Sequence, residues 1–321
     1  MQNIKTPILL ITYRRLDTTL KVLESIRRIR PQKLYISSNA PNPAKAGEDQ
    51  IVHMVRQQVE KSIDWPCEVK RLYRTEHLSA KDSIWSAICW FFGNEEEGII
   101  LEDDTLPDPS FFYYCEELLE KFRNDKEVRF INGCNFNYKG LRNSYGYTRF
   151  MNMWGWATWR RSIEMVDQSM AEWKTMPDKK GFLDKIFHGQ RPKVKELASE
   201  FFHKTFDRTA DDKIDTWDYQ CIFSNLLSET YAVFPGKNMV TNLGFGAGGT
   251  NTNFESYFLS AMKLEKTVQP LLEPKGKSND EKYLEFSLER LFGLKFRGRL
   301  YYSFKHRVFL LKKKLGFIQK Y

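Results

Sequence analysis

Three consecutive acids, Glu102-Asp103-Asp104, close the apolar run Gly98-Ile99-Ile100-Leu101. Ile99-Ile100-Leu101 reads as a strand buried on both faces, as in a parallel sheet. Carboxylates where such a strand emerges repel one another and lose hydration, so folding alone does not favour them. A divalent cation with a phosphorylated ligand reverses that balance, because Mg²⁺ and Mn²⁺ take oxygen ligands and bridge carboxylate to phosphate. Open α/β sheets bind ligands beyond the carboxyl ends of their strands, which is where these acids fall. The plainer reading is a solvated loop whose acids cap the helix starting near Pro109.

The elements that must position the acids come in regular order. Strands are expected at Pro7–Tyr13, Lys33–Ser37, Glu68–Tyr73 and the acid-ended run, with helices at Leu16–Ile29, between Gly47 and the third strand, at Lys81–Phe92 and at Ser110–Phe122. Alternation of this kind predicts right-handed crossovers and a mostly parallel sheet with helices on both faces. The second half is less regular: strands at Val128–Asn132, Tyr147–Met153 and Tyr231–Phe234, an aromatic cluster Trp154-Gly155-Trp156-Ala157-Thr158-Trp159, helices on to about Leu227, and a Gly/Asn/Thr-rich loop over Asn242–Asn253.

With 321 residues, 41% of them hydrophobic and 28% charged, the chain has ample length for an ordinary soluble core. The aromatic fraction of 15% suits a sugar- or base-binding cleft as well as a core. No stretch approaches the roughly 20 apolar residues that span a bilayer, and the N-terminus runs straight into a strand without a signal-peptide pattern. Cys67, Cys89, Cys115, Cys134 and Cys221 are odd in number, widely spaced and without a CxxC pair, which points to thiols in a reducing, cytoplasmic setting. The net charge of +9 is concentrated at one end. After Arg290 there is no acid, and nine Lys or Arg follow; the rest of the chain carries 41 basic and 41 acidic residues. A neutral body argues against nucleic acid as partner.

On the segments PILLITYRR, LEDDTLPDPSFF, WGWATW, TWDYQ and NLGFG, ordered along about 250 residues, the chain resembles the GT-A glycosyltransferases. Within them it is similar to the branch of the N-glycan β-1,2-N-acetylglucosaminyltransferase and its bacterial relatives. The resemblance implies a GT-A three-layer α/β sandwich over 1–255, with a nucleotide-binding half (1–104) and an acceptor-binding half (105–255), followed by a helical basic extension, 256–321. It implies inverting transfer of a sugar from a nucleotide-diphospho-sugar, UDP-linked by preference, to a hydroxyl of a glycan or lipid-linked acceptor, as in surface polysaccharide synthesis. It also implies Mn²⁺ or Mg²⁺.

Carried across, the resemblance makes Asp104 the direct metal ligand, with Glu102 and Asp103 facing the ribose and sugar, although alternate residues at a strand end point to opposite faces. Asp218 becomes the general base that takes the acceptor hydroxyl's proton; an acid at a helix start also favours the dipole regardless of catalysis, and Asp215 is the first substitute. Thr12, Tyr13 and Arg14 end the first strand where base and diphosphate would lie, Arg14 through its planar fork or simply as an exposed helix-start arginine. Asn39 stands where relatives often have an acid holding a uracil edge. Lys81 and Ser83 open a helix that could receive phosphate, or present a solvated face. Gly155 would let the backbone approach the donor sugar, and Trp154, Trp156 and Trp159 divide between core and sugar platform. Thr250-Asn251-Thr252 lacks the histidine that many relatives carry there, which weakens a second protein ligand, and the glycines over 244–249 form a flap or a connector.

The tail from Leu294 interleaves Phe296, Leu300, Tyr301, Phe304, Val308, Leu311 and Leu315 with its basic residues, the pattern of a basic amphipathic helix on an anionic membrane surface. The expectation is a bacterial enzyme held on the inner face of the cell membrane. A sugar nucleotidyltransferase shares the fold and metal, but would carry a Gly-rich loop after the first strand, and Thr12-Tyr13-Arg14-Arg15 has no glycine. A non-catalytic glycan- or nucleotide-binding module is the third alternative.

Overall fold

The computed structural model describes residues 4–244, 262–295 and 297. In chain order the elements are β1 (Ile8–Thr12), α1 (Leu16–Ile29), β2 (Lys33–Ser38), α2 (Glu48–Lys61), β3 (Glu68–Tyr73), α3 (Ala80–Asn94), β4 (Glu97–Glu102), β5 (Thr105–Pro107), α4 (Ser110–Phe122), β6 (Val128–Asn132) and β7 (Tyr145–Thr148). They continue as β8 (Trp156–Trp159), α5 (Arg160–Ile163), α6 (Ala171–Thr175), α7 (Lys179–Ile186), α8 (Pro192–Ala210), α9 (Asp218–Leu227), β9 (Tyr231–Pro235), β10 (Val240–Asn242) and α10 (Glu281–Arg290).

Eight strands form one sheet in the order β3-β2-β1-β4-β8-β6-β9-β7. Neighbours β3, β2, β1 and β4 are parallel. β8 runs antiparallel between β4 and β6, β9 is parallel to β6, and β7 closes the edge antiparallel to β9. The expected mostly parallel α/β architecture is therefore the observed one. The central strands are apolar on both faces for the reason their sequence gave: alternate side chains enter opposite layers. Ile8, Leu10, Ile99 and Leu101 meet α1, α2 and α4 on one side, while Leu9, Ile11 and Ile100 meet α3, α8 and α9 on the other. Each such side chain, removed from water, contributes about 2 kcal/mol. This double burial fixes the strand ends, and with them the site.

Two readings of the second half need correction. Trp156–Trp159 is a central strand, and its register sets Trp156 opposite Ile100 of β4 and Asn132 of β6. Both of its faces are buried, so no polar alternation marks it as a strand in the sequence. The strand expected over Tyr147–Met153 instead spans Tyr145–Thr148. Beyond it Phe150, Met151 and Met153 are buried as packing, outside the ladder.

β6 and α9 are tied together by Arg129, which is fully buried. Its guanidinium donates to the Ser224 carbonyl at 3.0 Å and hydroxyl at 3.2 Å, and to the Ser162 carbonyl at 2.7 Å. Burial without a carboxylate partner holds its pKa down at about 10. The boundary expected near 255 lies outside the described residues. On its far side the chain packs on the body: Asn279 bridges to Tyr147, Tyr283 stacks on Phe234 with centroids 3.6 Å apart, and Leu284 and Leu288 are buried. Among the described residues no helix is long and apolar enough to cross a membrane. The basic tail beyond 297 lies outside the description.

Candidate active site

β4 ends in a tight turn fastened by Thr105, whose hydroxyl accepts the Glu102 N–H at 2.9 Å and donates to the Glu102 carbonyl at 3.0 Å. The turn presents the three acids beside the end of β1, because β1 and β4 are hydrogen-bonded neighbours with Ile11 opposite Glu102. Asp103 is buried, and its Oδ2 accepts the Tyr13 N–H at 3.2 Å. Asp104 is half-buried. Its carbonyl accepts the Leu243 N–H at 2.7 Å, and the Asn242 amide reaches its Oδ1 at 3.5 Å. Gly244 follows so closely that any side chain there would collide with the Asp104 carboxylate.

Among the described residues the cation facing this cluster is Arg15. Its Nη1 contacts Asp104 Oδ2 directly and stands 3.5 Å from Asp103 Oδ1. One guanidinium does not balance three carboxylates in a dehydrated turn. Burial, then the neighbouring charges of Asp104, Asp103 and Asp218, push Glu102 well above the usual carboxylate range. Burial, then Asp104, raises Asp103 to about 7, against the opposing pull of Arg15. Burial also raises Asp104, with Arg15 opposing.

Asp218 arrives from the other half of the chain as the first residue of α9. Hydrogen bonds from the Thr216 hydroxyl and from the Tyr219 N–H at 2.9 Å both land on its Oδ1. It lines a small cleft of about 90 Å³ with Met151, Met153, Trp154 and Phe292, and burial among these groups raises its pKa. Phe292 belongs to the segment after α10, so the C-terminal part of the chain contributes a wall here.

The remaining sequence candidates separate sharply. Thr12 and Tyr13 stand at the acids, although Thr12 spends its hydroxyl on the Ser37 carbonyl at 3.1 Å. Arg14 turns away to Glu48 at 3.1 Å, and the Tyr13 hydroxyl also binds Glu48 while its ring stacks near His77. The neighbour Arg15, not singled out in the sequence, is the arginine that faces the acids; its only signal was the doubled arginine at a helix start. The Asn39 amide is consumed by its own loop, donating to the Leu78 carbonyl and accepting from the Ala40 and Leu78 N–H groups, so its oxygen is not presented to a base.

Lys81 pairs with Asp212 at 2.6 Å, and the start of α3 is already capped by a carboxylate: Asp215 accepts from the Ala80 and Lys81 N–H groups at 3.0 and 2.9 Å. That contact fills the phosphate position expected there and commits Asp215 to a helix end. Ser83 is buried. Trp156 is core, 1% exposed and stacked on Trp217 at 5.8 Å, and Trp159 is buried as well. Neither is a sugar platform. Gly155 has φ +62° and packs so tightly that a Cβ would lie 2.8 Å from Val240 Cγ2. The close approach it permits is therefore to the core. Residues 245–261, which include Thr250-Asn251-Thr252 and the rest of the glycine-rich stretch, lie outside the description.

Among the described residues no three His, Cys, Asp or Glu side chains form a ready-made metal cage. The all-oxygen donor set, crowded and buried so that a bound cation would replace its protons, does fit a hard divalent ion held by one carboxylate and completed by phosphate oxygens.

No protein-family model matches the chain, and no curated protein does. Solved structures with a similar chain course include S. aureus TarS 1-349, at 10% identity and a TM-score of 0.41 over 80% of this chain and 69% of that one. A mannosyltransferase from Pyrobaculum calidifontis in complex with GDP-Man and Mn²⁺ matches at 11% and 0.37 over 71% and 75%. The inositol-1-phosphate CTP transferase of T. maritima matches at 10% and 0.33 over 53% and 77%. Likeness at this level is loose, and what those proteins bind stays with them.

Proposed function

We propose that the protein is a metal-dependent glycosyltransferase that moves a sugar from a nucleotide-diphospho-sugar to a hydroxyl of a glycan or lipid-linked acceptor, with inversion at the anomeric carbon. The observation that carries this reading is the under-neutralised acid cluster at the carboxyl end of β4, with Asp218 close enough to raise the Glu102 pKa. The sequence resemblance supports it. Mn²⁺ or Mg²⁺, held by Asp104 and by the donor's phosphate oxygens, would neutralise the diphosphate and stabilise it as a leaving group.

The chain's own groups perform the rest. Asp218 offers Oδ2 to the acceptor, since its neighbours' hydrogen bonds go to Oδ1. A raised pKa makes it a stronger base than an exposed aspartate. The acceptor oxygen gives its proton to Asp218 and bonds the anomeric carbon, while the carbon–oxygen bond to the diphosphate breaks and its electron pair leaves with the phosphate. Glu102 and Asp103 line the same end of the sheet, where they would face the donor's hydroxyls. Association with an anionic membrane surface is proposed from the nine basic residues of the tail.

A thermal-shift panel of nucleotide sugars, with and without Mn²⁺, tests this on the wild type and Asp104→Ala. A ligand that binds only the folded state raises Tm by mass action. The expected result is a Mn²⁺-dependent rise with one donor that Asp104→Ala abolishes. No rise with any donor removes the metal–donor reading.

A further inference from the structure

Arg15 has a fixed backbone and a partly exposed side chain. Its backbone is pinned as the residue capping α1: its carbonyl accepts the Thr19 N–H at 3.0 Å, the Thr19 hydroxyl at 2.6 Å and the Thr18 hydroxyl at 3.3 Å. Its side chain is 29% exposed, against 10% and 14% for the Asp103 and Asp104 side chains that it covers. The guanidinium is thus the more exposed partner in both ion pairs.

We propose that Arg15 is a resident stand-in for the metal. In the metal-free protein it occupies the cation position at Asp104 and Asp103; when metal and donor arrive it yields the carboxylates and takes hold of the donor's diphosphate. This rests on the acid cluster being the donor site proposed above. Three observations argue for it. Three acids are crowded in a buried turn beside the one guanidinium that faces them among the described residues, so a divalent ion, which displaces protons and brings two charges, is a better partner for Asp104 than the guanidinium. The Arg15 backbone is pinned at the start of α1, so a change of partner by its side chain would keep the guanidinium within reach of the same small volume. The planar fork that grips a carboxylate grips a phosphate equally well, and the start of α1 adds N–H groups and a favourable dipole for an anion. Arg14 is not available for that task, being held by buried Glu48.

The consequence is a pair of effects with opposite sign in one variant. Without nucleotide, Arg15→Gln removes the competitor and tightens Mn²⁺ binding by about tenfold, the equivalent of one charge contact. With Mn²⁺ saturating, the same variant binds a nucleoside diphosphate about tenfold more weakly, by loss of one charge-assisted contact. Arg15→Lys keeps the charge and loses the fork, so its Mn²⁺ affinity stays near that of the wild type while its diphosphate affinity falls part of the way.

The experiment uses the full chain. Free Mn²⁺ is followed by electron paramagnetic resonance during titration, and UDP, GDP, CDP, ADP and dTDP are then titrated calorimetrically at saturating Mn²⁺. Near-UV circular dichroism establishes that each variant is folded. The opposed pair of changes supports the proposal, as does disappearance of the Mn²⁺ tightening when Asp104→Asn is added to Arg15→Gln. A folded Arg15→Gln that loses Mn²⁺ and nucleotide together, or changes neither, overturns the role of Arg15 while leaving the donor site standing. A wild type that binds neither Mn²⁺ nor any of the five nucleotides overturns the donor site, and this proposal with it.

Discussion

Strand β4 has three acids near each end, and the two trios behave differently. At the amino end Glu95 is met by Lys33 at 2.9 Å and by the Tyr35 hydroxyl at 2.6 Å, Glu96 by Arg160 at 2.7 Å, and Glu97 by both arms of Arg123 at 3.1 and 2.7 Å. At the carboxyl end Glu102, Asp103 and Asp104 share Arg15, and burial raises all three. Composition does not separate the two ends. What separates them is the supply of countercharge and water. An acid trio with its own cations is ordinary surface, whereas one packed into a dry turn with one cation among the described residues is poised to take up another.

The comparison predicts opposite signs at the two ends. The largest effect is at Asp218, whose charge adds to the crowding of Glu102. Asp218→Asn should lower kcat by roughly a hundredfold to ten-thousandfold, the usual range for a lost general base. Donor binding should persist, and the metal-free melting temperature should hold or rise. A variant that retains most of its kcat would assign the base elsewhere.

A smaller effect concerns stability against pH. The folded pKa of Asp103, about 7, lies above the ordinary carboxylate value, so the native state holds that proton more tightly than the unfolded chain. Its contribution is fully present below about pH 4 and is lost as pH rises towards 7, at on the order of 1 kcal/mol per pH unit in between. Chemical denaturation of chelator-treated protein across this window should show the decline, and Asp103→Asn should flatten it. A wild-type slope of the opposite sign would mean that the cluster is better neutralised than its geometry indicates.

The smallest effect is at the paired end. Glu97→Gln should cost at most about 1 kcal/mol, because the Arg123 partner is half-exposed and surface pairs contribute little. Activity should be unchanged. Loss of activity there would erase the distinction between the two ends.

Much of the fold was legible because the first half repeats one physical pattern: doubly buried strands separated by amphipathic helices. The bounds of α1, β3, α4 and β6 coincide with what their periodicity indicates. β8 was not legible, since its aromatic ends resemble a binding cluster and its antiparallel placement has no local signal. Within the site, residue type indicated where charge gathers, and the structure brings Glu102, Asp103, Asp104 and Asp218 near one another. Partners were not legible. Asn39, Lys81 and Asp215 have the chemistry of ligand contacts but spend it on the fold, and the Asp215 carboxylate reaches the start of α3 from 135 residues away. Arg14 and Arg15 differ only in direction, which the chain's path into α1 decides.

The turn bearing the acids depends on chain made much later. β5 pairs with β10, and the Asp104 carbonyl accepts the N–H of Leu243. Protein synthesis is directional, and N-terminal parts emerge and begin to fold first. A nascent chain therefore carries its acids for some 140 residues of elongation before the contact that fixes their turn exists. Through that interval the strands of the first half can assemble while the turn lacks its lock. A chain truncated before β10 should thus own a sheet yet lack the contact that holds its acid turn in place.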